Sequence, residues 1–297
     1  MTFSQKDMNR AVVLGTVLAG SVLSVGAWLF SWYATHPPRR KVGAWRGKDL
    51  PVEEVTFPSR DGLRLAGWFA PVNEEAKGLV ILCHGHPANR VEMLPEARIL
   101  YKAGFHVLLF DFRALGESEG KTCTLGLAEV QDLMGAIDYL MEREEARGLK
   151  LGVLGLSMGG AVSLMTAAQD TRIQAVATHG AFGSLESAIR RRAELFTGFL
   201  APVTAKMATQ FGKRWIPPTE DSPLTLVSRI APRPLLLLHG VKDHIIPLKE
   251  GEKLYAEAGE PKELVPLPLS YHVGIHHEEQ AAYNEKIVTF FIESLTQ

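Results

Sequence analysis

Three residues with chemistry to offer stand in the order serine, aspartate, histidine along the chain. The serine lies in Gly155-Leu156-Ser157-Met158-Gly159-Gly160, directly after an apolar run and directly before a helical pattern. A serine on such a strand-to-helix turn is held in a strained, exposed pose, and small flanking residues are required because side chains there would clash. Its Oγ stands above the sheet while backbone N–H groups at the helix start face the same point. A serine alone is a poor nucleophile and needs a base with an orienting acid. Leu238-His239-Gly240-Val241-Lys242-Asp243 puts a carboxylate just past a later apolar run, and Pro268-Leu269-Ser270-Tyr271-His272 puts an imidazole just past the next. In a parallel sheet these loops open on one edge, so Ser157, Asp243 and His272 can meet although far apart in sequence.

Other polar residues read as scaffold. Gly152, Gly155 and Gly159 lack the G-x-G-x-x-G spacing of a dinucleotide site, and the phosphate-loop pattern is absent. Asp111 and Arg113 are expected to brace their loop by pairing, and His84 and His239, each before a glycine at a strand end, to hydrogen-bond within the scaffold. His244 neighbours Asp243, but adjacent residues on an extended loop point apart. His276, His277 and Glu278 lack the i, i+4 spacing of a helical metal site. The first two adjoin the acidic first turn of the last helix, so His272, nearer the strand end, is the expected base. Cys83 reads as buried strand filler and Cys123 as a loop residue without an activating neighbour. No metal or cofactor is implied.

The positioning elements are legible as alternating strands and helices. Strands are expected at 54–57, 63–69, 78–83, 105–110, 149–154, 173–178, 234–238 and 264–267, with Asp61-Gly62 in a tight turn between the first two. Several are wholly apolar, the mark of burial on both faces. Helices are expected at 93–101, 125–146, 158–168, 224–230, 248–258 and 278–295. The pattern predicts an α/β fold, a mainly parallel sheet with helices on both faces. Residues 182–221 exceed a crossover. They are basic at Arg190, Arg191 and Arg192 and apolar at Leu195, Phe196, Phe199 and Leu200, and they fall where a lid over a site would sit. Ordinary helix packing is the other reading of that stretch.

Residues 11–34 carry no charge and are long enough to span a bilayer, with Trp28, Trp32 and Tyr33 at the far end, where amphipathic rings suit the headgroup level. A cleaved signal peptide is the rival, but its apolar core would be unusually long and no Ala-x-Ala site follows. The division expected is an anchor and basic connector over 1–50 and a body over 51–297, with the anchor dispensable for chemistry. Arg39, Arg40, Lys41, Arg46 and Lys48 after the span outnumber Lys6 and Arg10 before it, which favours a cytoplasmic body.

Over 297 residues, 32 basic side chains balance 33 acidic ones, which argues against a nucleic-acid partner, and two cysteines cannot make a disulfide framework. From about Pro51 onward the chain resembles the α/β-hydrolases. The likeness is carried by the serine turn, by His84-Gly85-His86-Pro87-Ala88-Asn89-Arg90 and by Asp111-Phe112-Arg113-Ala114-Leu115-Gly116-Glu117-Ser118. Within that family it is similar to the membrane-anchored, small-lid branch of Bem46-like and ABHD-type serine hydrolases. The resemblance implies an α/β-hydrolase fold, a Ser157–Asp243–His272 triad and an oxyanion held by the N–H groups of His86 and Met158. It also implies cleavage of a carboxylic ester or thioester of a small-molecule or lipid-like acyl substrate through an acyl-enzyme. An amidase, peptidase or acyltransferase would use the same residues, and an inactive anchored scaffold protein would keep the fold alone. Relatives commonly carry glycine where this chain has Tyr271.

Overall fold

The computed structural model describes residues 5–43, 50–73 and 75–296. Arg46 and Lys48 lie outside the described residues. The eight strands are β1 (Glu53–Pro58), β2 (Arg64–Ala70), β3 (Leu79–Cys83), β4 (His106–Phe110), β5 (Leu151–Leu156), β6 (Ile173–His179), β7 (Leu235–Gly240) and β8 (Lys262–Leu267). They form one sheet in the order β1-β2-β4-β3-β5-β6-β7-β8. β2 runs antiparallel to β1 and β4, and every other neighbouring pair is parallel.

The helices are α1 (Gln5–Thr35), α2 (Leu94–Lys102), α3 (Glu129–Met141), α4 (Met158–Ala167), α5 (Leu185–Thr197), α6 (Ala201–Gly212), α7 (Pro223–Leu226), α8 (Leu248–Glu257) and α9 (Gln280–Leu295). Successive residues of β3 explain why that strand is apolar throughout. Leu79, Ile81 and Cys83 enter a core with Ile137 of α3, Val162 of α4 and Leu254 of α8. Val80 and Leu82 enter the opposite core with Leu100 of α2 and Phe291 of α9. Each such side chain, taken fully from water, stabilises the fold by about 1.5–3 kcal/mol.

Two expected helices are shorter than the pattern suggested. The segment 125–146 begins with Leu125 and Gly126 at positive φ, so the helix waits until Glu129. The carboxylate of Glu129 turns back to accept from Thr124 N, Thr124 Oγ1 and Gly126 N at 2.7–2.8 Å. The segment 224–230 is one turn of α7, held by a capping box at Ser222, followed by a 3-10 turn.

α1 is long and apolar enough to cross a membrane by length and composition. Its far end is docked onto the body. Ala27, Ser31 and Thr35, four residues apart and thus on one stripe, are buried. Ser31 Oγ donates to the carbonyl of Ala208 in α6 at 2.8 Å, and Cys123 N donates to Thr35 O at 2.8 Å. The His36 ring meets Trp215 edge-on at 5.3 Å. Arg39, just past the helix, donates to the carbonyls of Gly116, Ser118 and Gly120.

Candidate active site

β5 ends at Leu156, and Ser157 caps α4 with φ 53° and ψ −114°, a conformation that costs a residue with a side chain about 1–3 kcal/mol. The turn survives because its neighbours lack side chains. A Cβ on Gly159 would lie 2.1 Å from the carbonyl oxygen of Cys83, and one on Gly155 2.3 Å from that of Gly159. Ser157 N donates to His179 O at 2.9 Å, which ties the strained turn to the neighbouring strand β6.

The loops after β7 and β8 bring the expected partners to this point. His272 Nε2 lies 2.9 Å from Ser157 Oγ, and His272 Nδ1 lies 2.6 Å from Asp243 Oδ2. With Nδ1–H donating to the carboxylate, Nε2 is left to accept the serine proton. The other oxygen of Asp243 accepts from the backbone N–H of Ile245 at 2.9 Å and of Ile246 at 2.7 Å, so the acid is fixed from both sides. Asp243 and His272 are both buried. All three expected residues therefore meet.

The N–H of Met158, first in α4, and that of His86, in the loop after β3, have no hydrogen-bond acceptor among the described residues. The neighbouring Gly85 N–H donates to Glu92 Oε2 at 2.7 Å, which withdraws it from the site. β3 and β5 are adjacent, so the loops that carry His86 and Ser157 leave the sheet side by side.

Asp111 and Arg113 do brace loops, each with another partner: Asp111 with Arg90, and Arg113 with Asp132 and Asp61. His84 Nε2 accepts from Phe112 N at 3.1 Å, and His239 Nε2 donates to Ile246 O at 2.8 Å. His244 is exposed, and the His276 and His277 rings lie tilted against each other with centroids 4.3 Å apart. Burial pushes the Cys83 thiol up to about 12 and the Cys123 thiol well above its ordinary value, so both are inert. Burial also pushes His179, beneath the site, down to about 3, and lowers His239.

Tyr271 keeps an ordinary backbone and points half-exposed to solvent. The close approach is made instead by Gly240 at the end of β7, where a Cβ would meet Tyr271 O at 2.5 Å and Ser270 O at 2.6 Å. Glu279, read from sequence only as part of an acidic helix start, accepts from Leu269 N at 2.9 Å and from the buried Ser270 hydroxyl, fastening the histidine loop.

Above Ser157 lies a largely apolar chamber of about 290 Å³. Leu125, Phe182 and Ile246 form part of its wall, α5 contributes Ile189, and α6 contributes Ala208. Phe30, Tyr33 and Ala34 of α1 complete it, so an expected boundary at residue 50 would divide the wall of the site. The α-helical stripe that docks on α6 necessarily presents its neighbouring residues to the chamber.

A family model described as alpha/beta hydrolase fold matches residues 78–214. YfhR of Escherichia coli K12 is 31% identical over 253 residues, covering 82% of each chain. The Pyrococcus furiosus esterase Pf2001 is 25% identical and superposes over 88% of this chain and 100% of its own with a TM-score of 0.72. PA2218 of Pseudomonas aeruginosa, at 22% identity, superposes over 87% of this chain and 99% of its own with a TM-score of 0.67. A fold laid out strand for strand in this way, with a 31% identical relative across most of its length, places the chain in the α/β-hydrolase superfamily.

Proposed function

We propose that the protein is a membrane-anchored serine hydrolase that cleaves a carboxylic ester or thioester. The observation that carries this reading is the unbroken line Asp243–His272–Ser157, at 2.6 and 2.9 Å, ending on a strained serine beneath an apolar chamber. His272 Nε2 takes the hydroxyl proton as Ser157 Oγ bonds to the acyl carbon, and Asp243 stabilises the imidazolium. The carbonyl oxygen becomes an oxyanion facing the N–H groups of Met158 and His86, donors of a kind that contribute about 3 kcal/mol each. His272 returns the proton to the leaving alcohol or thiol, and the acyl group remains on Ser157. Water, deprotonated by the same imidazole, then releases the acid and restores the serine.

Amide cleavage or transfer of the acyl group to another alcohol would employ the same residues. The apolar lining favours an ester or thioester of an apolar acyl group. Kinship with a fold that includes a Pyrococcus esterase supports hydrolysis. α1 serves as the anchor, and the exposed Arg40 and Lys41 that follow it favour a cytoplasmic body.

A fluorophosphonate probe should label the purified protein at Ser157, and Ser157→Ala should abolish both labelling and hydrolysis of p-nitrophenyl butyrate. Retention of more than roughly a thousandth of the wild-type rate in Ser157→Ala would exceed what binding and an oxyanion hole sustain without a nucleophile, and would overturn the assignment.

A further inference from the structure

A second apolar cavity, a groove of about 410 Å³, runs between α1 and the hairpin of α5 and α6. Phe30, Arg192 and Ala208 line both this groove and the chamber above Ser157, so the two adjoin at these side chains. From that junction the groove follows α1 backwards past Ala27 and Gly26 to Leu23 and Val22. These residues belong to the helix assigned to the membrane. Its opposite wall reaches the hairpin tip, where no residue from 195 to 205 is charged. There Phe196 is 74% and Phe199 91% exposed, the latter with nothing but solvent-facing surface to explain it. Glu194 and Lys206 flank this uncharged tip. An apolar tip bounded by charges, lying beside an apolar span, is the pattern of a segment sunk about 5–10 Å into a bilayer.

We propose that this groove admits the acyl chain of a lipid directly from the bilayer, so that the substrate is a membrane-resident acyl ester and α1 is a wall of its binding site. The inference rests on the anchored-hydrolase reading and names the substrate class of that same site. The acyl carbonyl sits at Ser157 and the chain runs down α1 toward Val22, its methyl end in the hydrocarbon. Arg192, the charged residue shared by both linings, has no ion-pair partner among the described residues. It lies at the carboxyl end of this path, where the released acid carries its negative charge. The occupant is therefore an acyl chain with its polar end at the chamber.

Gly26 offers a direct test, because it lines the groove and a Cβ built there meets nothing within 4 Å. Gly15, on the same helix and equally open, lines no part of the groove. Full-length protein in phosphatidylcholine vesicles is assayed on p-nitrophenyl palmitate and p-nitrophenyl butyrate. Gly26→Phe should lower the palmitate-to-butyrate rate ratio at least tenfold, Gly26→Leu by less, and Gly15→Phe should hold it within twofold. A ratio unmoved by Gly26→Phe, or lowered equally by Gly15→Phe, overturns the conduit while leaving the hydrolase intact. Wild-type protein inert on both esters overturns the hydrolase reading itself.

Discussion

At the carboxyl edge of the sheet, Asp243 and His272 are 4% and 6% exposed, and the polar atoms of the line to Ser157 each have a partner within 3 Å. On the flank formed by α1, α5 and α6, large apolar side chains stand exposed: Val12 to Val22 on one helix, Phe196 and Phe199 at the hairpin tip, Val203 on the next. The first region orients three atoms and needs rigidity. The second gives no orientation but offers an apolar path, and it tolerates open space. Their meeting point is Phe30, Arg192 and Ala208. An enzyme whose reacting atoms sit in the one and whose acyl group lies in the other gains positional precision at the carbonyl without demanding it of the chain.

The largest effect that tests this contrast falls at the rigid edge. His272→Ala should reduce kcat on p-nitrophenyl butyrate by three orders of magnitude or more, as removal of a base acting in concert does. His276→Ala, half-buried in the same loop but bonded through its backbone N–H to Ser270 Oγ at 3.0 Å, should change it less than about threefold, because no contact joins its ring to Ser157. A dead His276→Ala beside an active His272→Ala would mean that the loop after β8 presents a different imidazole to the serine.

The edge was also the more legible region. Ser157, Asp243 and His272 could be read because each follows an apolar strand, and period and turn chemistry are local signals. All eight strands fall where alternation and apolar runs put them. What escaped was contact between segments far apart. Nothing near Gly240 announces that Tyr271 and Ser270 press against it, and nothing in Glu279 reveals that it holds their loop. Likewise residues 11–34 read as an apolar span because composition decides that, while composition carries no trace of the stripe Ala27, Ser31, Thr35 that binds α6. Helix ends in 125–146 were missed for a related reason, since the positive φ at Leu125 is imposed by the loop that Glu129 ties down.

Buried titratable groups tie both regions to pH. Burial holds His179, beneath the triad, down to about 3 and His86, against Ala34 of α1, down to about 4. Below 6.5 the unfolded chain takes up protons that the folded one refuses, so this stability is present above that pH and is lost as pH falls toward those values. The slope is about 1.4 kcal/mol per pH unit for each histidine. Glu96 works the other way: burial pushes it up to about 7, so its contribution is present below its ordinary 4.5 and lost as pH rises through 7. Asp132, pushed up to about 7 by burial, acts in the same sense as Glu96. Glu96→Gln should therefore lose about 2 kcal/mol more stability than wild type on acidification from pH 6.5 to 5, read from urea unfolding of the detergent-solubilised protein. An equal change in wild type and Glu96→Gln over that interval would show that Glu96 is not held protonated by its burial.

The smallest effect belongs to the seam between the regions. Ser31 Oγ is 2.8 Å from both Ala27 O in its own helix and Ala208 O in α6. Its single proton is shared, and the carbonyl of Ala208 lies inside α6, where the helix offers it a backbone donor as well. Ser31→Ala thus removes part of one hydrogen bond without stranding a buried group, a loss of about 0.5–1 kcal/mol. In a chain of this size that lowers Tm by about 1–2 °C. Ser21 and Ser24 are the controls, since their hydroxyls return only to Val17 O and Gly20 O of α1 at 2.9 and 2.8 Å. Ser21→Ala and Ser24→Ala should leave Tm within error. If the three variants melt alike, Ser31 adds nothing to the docking of α1, and the wall of the chamber is held by the packing of Ala27, the Thr35 and Arg39 bonds and the His36–Trp215 contact.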